Sequence, residues 1–336
     1  MRNLSRRQTL FGLFSGLSAL LVPSQLEDAD FSPNPKLSNE EYLEESRRLL
    51  SLSPYGQLLI DNFDRHSKRP IRISSNLDAK RLGAVATFKP ETQEIIMTSQ
   101  RGIFLLAQDE CATLNSLRAE KMNCGLAAKR VVENMFSRGA PLSLANELLH
   151  FRQYTSGAFD ILEEILRDYA TPEVVKANLI LEACSDIASI RVAYDLFFRN
   201  KDKSIRGYVA QDIKMASSTE GLIRYGRSVR MNAENEISGK AAAEALMGLI
   251  AEFRYSRYFY SAVFNSFAGY KGKDSSKPVP QALMDELLYK LVTSLDCGDF
   301  LKFIDFKTLN LTVPTPENFS QKFYRERQLS NQPPRP

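Results

Sequence analysis

From Cys111 onward the apolar residues recur at three- and four-residue spacing almost without interruption, which commits most of the chain to helix. The spacing predicts helices over 112–136, 143–168, 173–199, 206–223, 239–268 and 280–295. Gly139-Ala140-Pro141, Ala170-Thr171-Pro172 and the stretch from Lys271 to Pro280 punctuate three of the junctions. Pro172 stands near the first turn of the 173–199 helix, where its missing N–H costs nothing. Hydrophobic residues at 43% and charged residues at 25% give these helices enough apolar surface for a sizeable core, so a disordered chain is not expected. No internal repeat is visible.

The β signal is confined to the region ahead of the helices. Ser38 with Glu41 three positions on is a capping-box pattern, and Tyr42, Leu43, Leu49 and Leu50 give the helix that follows its apolar side. Pro54 stops that helix, and a second short one carries Leu58, Leu59 and Phe63. Ile71-Arg72-Ile73 alternates as a half-buried strand does. Residues 84–88 and 94–98 read as two further strands joined by the turn Pro90-Glu91-Thr92-Gln93. The expected fold is therefore mostly α with a small β hairpin or sheet near its N-terminal part, in a single main domain over 38–311.

Residues 1–23 read as a targeting segment. Ser5-Arg6-Arg7-Gln8-Thr9-Leu10-Phe11 is similar to the twin-arginine export motif, with Arg6 and Arg7 as its pair, and Leu10 to Val22 is a short apolar stretch. That stretch falls short of the about 20 apolar residues that span a bilayer. Thr9 stands where an aromatic is common, and no small-x-small site precedes Pro23; an ordinary secretory signal or an uncleaved anchor is the other reading. Residues 24–37 read as a polar, Pro-containing linker and 312–336 as a loose tail. The expectation is export to the periplasm or medium of a bacterium, with no membrane contact after signal cleavage.

Composition excludes several chemistries. With only two histidines, His66 and His150, a three-histidine metal site is ruled out. The four cysteines, at 111, 124, 184 and 297, have no CxxC spacing, which argues against a cysteine-only zinc site. In an exported protein they could form one or two disulfides, with Cys111 and Cys124 nearest in sequence, or stay as buried thiols. The net charge of +4 is spread along the chain without a basic stripe, so no nucleic-acid partner is expected. Phe253-Arg254-Tyr255-Ser256-Arg257-Tyr258-Phe259-Tyr260 interleaves aromatics with arginines; it reads as a packed helix with snorkelling arginines or, less readily, as a surface for nucleic acid or an acidic partner. G-x-S-x-G, P-loop and dinucleotide-binding patterns are absent.

One string carries chemistry: Asn146-Glu147-Leu148-Leu149-His150, followed by Phe151 and Gln153. A zinc-peptidase helix sets two histidines four residues apart on one face, and the glutamate after the first acts as general base on metal-bound water. The string resembles that of bacterial metallopeptidases of the zincin group, with Asn146 in place of the first histidine. The resemblance covers roughly residues 70–200. It implies a strand of the 84–98 hairpin bordering the cleft, Glu147 as base, and His150 as metal ligand. By analogy with Glu-containing zincins, it also implies Glu182 as third ligand and Asp186 as an orienting group behind it.

The departure at Asn146 bears on the metal, because an amide oxygen is a weaker zinc ligand than imidazole. The implied protein is zincin-like with a degenerate site, binding zinc weakly or not at all. The alternatives are a non-catalytic binding or scaffold protein with a peptide or protein partner, and a helical domain of other ancestry. In the last case Glu147 and His150 are a polar patch, and Glu182 and Asp186 a solvated face. His66, within Asp64-Arg65-His66-Ser67-Lys68-Arg69, is expected in an exposed charged loop.

Overall fold

The computed structural model describes residues 38–74, 85–117, 123–129, 139–169 and 279–296. Between Leu181 and Leu196 it also describes 181, 184, 185, 187–189, 191–193, 195 and 196. Helix α1 (Asn39–Ser51) starts with both capping-box bonds made: Glu41 N–H donates to Ser38 Oγ at 3.1 Å, and Ser38 N–H donates to Glu41 Oε2 at 2.6 Å. Tyr42, Ser46, Leu49 and Leu50 form its buried stripe. Ser53 caps α2 (Pro54–His66) through the Gly56 N–H at 3.1 Å, with Pro54 at the first helical position. Gly56 is where the two helices touch, since a Cβ there would lie 2.1 Å from the Leu50 carbonyl oxygen. An Arg47–Asp64 ion pair at 2.6 Å bridges their outer faces. His66 is the last residue of α2 rather than a loop residue; it is exposed, and its Nδ1 lies 2.9 Å from Asn62 O.

Three short strands follow: β1 (Arg72–Ile73), β2 (Ala86–Lys89) and β3 (Glu94–Met97), in the order β1-β3-β2. β1 runs parallel to β3, with Arg72 opposite Ile96, and β2 runs antiparallel, with Phe88 opposite Ile95. The turn between β2 and β3 closes with Thr92 N–H on Lys89 O at 3.3 Å and puts Gln93 in the left-handed region at φ 56°. Arg69 ties the end of α2 to β3 through Glu94 at 2.5 Å. The sheet is thus the small element that the alternation predicts, one to two residues from the expected bounds.

The helical part departs from expectation at several boundaries. α3 (Gln100–Leu117) begins straight after β3, well before residue 112, because Ser99 caps it by accepting the Gly102 N–H at 3.1 Å. A disulfide joins Cys111 to Cys124, and residues 124–129 are helical. The expected helix 143–168 is two helices, α4 (Gly139–Thr155) and α5 (Ala158–Asp168), and Gly139-Ala140-Pro141 starts the first instead of separating it. Gly157 makes the break: at φ 80° it occupies the left-handed position that ends a helix, and its N–H donates to Tyr154 O. α6 (Gln281–Thr293) lies within the predicted 280–295. Its Lys290 Nζ donates to Ser156 O at 3.0 Å, a cation at the C-terminal end of α4.

α4 is the hub, packing against α1, α2, α5, β2 and β3. Leu144, Ala145, Leu148, Leu149 and Phe151 are all buried, so this helix is apolar around most of its circumference, as a central helix must be. The described part of the fold is mostly helical with one small sheet. Among the described residues no helix is long and apolar enough to cross a membrane. Segments 1–23, 24–37 and 312–336, Arg6 and Arg7, the helices at 206–223 and 239–268, and the 253–260 run lie outside the described residues.

Candidate functional site

The polar residues of α4 sort onto two faces. Glu147, Phe151 and Tyr154, spaced four and three apart, look at the sheet. Thr98 N–H donates to Val85 O at 2.8 Å, so the antiparallel alternation turns residues 85, 87 and 89 toward β3 and Ala86 and Phe88 away from it. β2 is the outer strand, so the Phe88 N–H is an edge donor that the sheet cannot satisfy. Glu147 satisfies it: Oε2 accepts the Phe88 N–H at 2.6 Å. The ring of Phe88 is held at the same place, edge-on to Phe151 at 5.9 Å, Tyr154 at 5.7 Å and Phe159 at 6.0 Å. Gln93, from the hairpin turn, donates to Tyr154 Oη at 3.2 Å.

Asn146 and His150, one turn apart, belong to the other face. Asn146 Nδ2 donates to Ser185 Oγ at 3.0 Å, and Ser189 Oγ donates to Leu142 O at 2.8 Å. These two bonds, one turn apart on each side and in opposite order, show that the stretch containing Ser185 and Ser189 crosses α4 antiparallel. The same register continued by four residues brings Leu181 level with His150. His150 is buried, with its Nδ1 3.0 Å from Gln153 Oε1 and its ring edge-on to Phe159 at 6.4 Å. With the Nδ1–H tautomer the imidazole donates to that amide oxygen and carries its lone pair on Nε2. Gln153 itself is fully buried.

Glu182 and Asp186 lie outside the described residues. Among the described residues, no group of three or more His, Cys, Asp or Glu side chains could hold a metal ion. The described donors do not fit zinc as they stand. Asn146 turns its amide nitrogen to Ser185, Glu147 gives an oxygen to a backbone amide, and His150 alone offers an imidazole. A zinc site needs about four donors 2.0–2.3 Å from one point.

A second polar cluster has no counterpart in the sequence reading. Ser53 Oγ donates to Asp195 Oδ2 at 2.6 Å, and both residues are buried. The Arg191 guanidinium lies 3.6 Å from the ring centre of Tyr55 and donates to Leu295 O. The node joins the α1–α2 corner, the stretch around Arg191 and the end of α6. Its signal in the sequence was spacing: Cys184, Ala188, Arg191 and Asp195 follow one another at steps of four, three and four, so two charges stand on an otherwise apolar stripe.

Comparison with known proteins adds nothing to this geometry: no family model, no curated protein and no solved structure matches the chain.

Proposed function

We propose that this chain is an exported zincin-like protein with a degenerate metal site, weakly hydrolytic or inactive. The observation that carries the reading is the seating of α4 under the edge strand β2, with Glu147 directly beneath Phe88. A helix bearing Glu-x-x-His against the outer strand of a small mixed sheet is the arrangement that the Asn146–His150 string implies. The antiparallel crossing at Ser185 and Ser189 supports the expectation of a further helical stretch lying against α4.

The same contacts favour the non-hydrolytic form. A general base must reach the water it activates, whereas the Glu147 carboxylate is committed to a strand amide by a short, charge-assisted bond. Asn146, which stands in the place of the first histidine, is held through its amide nitrogen by Ser185. Export rests on Arg6, Arg7 and the apolar stretch behind them.

Elemental mass spectrometry of the dialysed mature protein tests the reading. Wild type is expected to hold well under one zinc per chain, and Asn146→His to raise zinc affinity by about 10-fold or more, the scale of a lost ligand-sphere group. The gain should vanish when His150→Ala is added. No gain in Asn146→His, with the fold intact by circular dichroism, would remove the zincin reading. Stoichiometric zinc with peptide hydrolysis in wild type would remove the inactive one.

A further inference from the structure

The two ends of the Cys111–Cys124 disulfide sit in different surroundings. Cys111 belongs to α3 and is fully buried, on the stripe that also buries Phe104 and Ala107. Cys124 opens the 124–129 helical stretch and is partly exposed, as are Gly125, Leu126 and Ala127 beside it. The Asn123 side chain accepts the Leu126 N–H at 3.0 Å and fixes the backbone on which Cys124 stands. A thiolate must approach a disulfide sulfur from the side opposite the bond it breaks, and Cys124 is the less buried of the two residues.

We propose that the pair is a directional thiol–disulfide exchange site, in which Cys124 is the sulfur that meets external thiols and Cys111 is the buried resolving thiol. In reduction, an external thiolate of the glutathione or dithiol-oxidoreductase class attacks Cys124 Sγ and forms a mixed disulfide there. The electron pair of the broken bond leaves with Cys111 Sγ, which takes up a proton as a buried thiol. A second external thiolate then attacks the mixed disulfide and releases the Cys124 thiolate. In sum, the protein disulfide gains two electrons and two external thiols become one disulfide. Oxidation is the reverse: Cys124 thiolate attacks an external disulfide, and Cys111 thiolate resolves the adduct.

The test follows glutathione adducts by intact mass and peptide mapping. Folded Cys111→Ser incubated with glutathione disulfide is expected to carry the adduct on Cys124. Folded Cys124→Ser should form an adduct on Cys111 at least about 10-fold more slowly, until denaturant exposes it. Wild type needs no variant to fold: partial reduction with glutathione, quenched by acid and then alkylated, should map the mixed disulfide to Cys124. Adducts on Cys111, equal rates at the two positions, or both thiols already reduced in the exported protein would each overturn the proposal.

Discussion

The sheet side of α4 and the buried node beside α2 both use polar groups to join elements, but they differ in what surrounds those groups. On the sheet side, the part-buried Glu147 meets one strand amide, and aromatic rings do the rest of the packing. In the node, Ser53, Tyr55, Arg191 and Asp195 are all buried, and their bonds span 142 residues from Ser53 to Asp195 and 104 from Arg191 to Leu295. A carboxylate near the surface that loses its partner can turn to water. A guanidinium inside cannot, so the node should carry the larger penalty when disturbed.

That ranking can be broken by measurement. The largest effect is expected for Arg191→Met, which removes a charged donor to Leu295 O and the stacking on Tyr55. A loss of about 3 kcal/mol follows from the usual size of these two interactions, read from the urea midpoint at constant slope. A loss no greater than that of a Glu147 variant would reverse the ranking. Gly56→Ala, beside the node, should cost about 2 kcal/mol, because its Cβ would meet the Leu50 carbonyl and the two helices must part. Unchanged stability there would mean that the α1–α2 corner is softer than its spacing implies.

The sheet side is expected to respond less. Glu147→Gln keeps an acceptor oxygen for the Phe88 N–H and should lose only about 1 kcal/mol, the margin between a charged and a neutral acceptor. Faster amide exchange at Phe88 than at Ile95 would locate the loss, and equal exchange would mean that the carboxylate is not what protects the edge. The smallest effect concerns the Arg69–Glu94 pair. The hydrogen bond from Arg69 holds the Glu94 carboxyl below its ordinary range. Its stabilisation is therefore present above about pH 4.3, the ordinary glutamate value, and fades as the pH falls through the lower folded value. For so exposed a pair it should stay under about 1 kcal/mol. Arg69→Met should flatten that part of the pH–stability curve, and an unaltered slope would assign it to other carboxylates.

Local chemistry was the legible part of this chain. The Ser38–Glu41 capping box, the break between two helices near Pro54 and the Pro90–Gln93 turn each act within a few residues, so the string of residues is enough to place them. The break at Gly157 was missed because a glycine inside an apolar helical period is also tolerated within a helix; only its left-handed φ distinguishes an end from a passage. The early start of α3 was missed because Thr98-Ser99-Gln100 continues the strand pattern in sequence while Ser99 is already capping.

The α4 string was visible as a pattern, but its partners were not. Phe88 reaches Glu147 across 59 residues, and Ser185 reaches Asn146 across 39. No local rule connects such positions. The buried charges at 191 and 195 were written in the spacing and needed only to be read as an interruption of an apolar stripe.

The bond from Arg191 to Leu295 sets a clock on the making of this protein. The residue that accepts from the guanidinium is added 104 positions after it. At about 5–20 residues per second, ribosomes need roughly 5–20 s to supply it. Throughout that interval the nascent chain carries an arginine destined for the interior without its final acceptor, and Ser156 waits longer still, 134 positions, for Lys290. Chains stalled before residue 279 should therefore be cleaved by protease around residues 181–196, and chains stalled after residue 296 has cleared the exit tunnel should resist. Equal resistance of the two would mean that the node is assembled without α6.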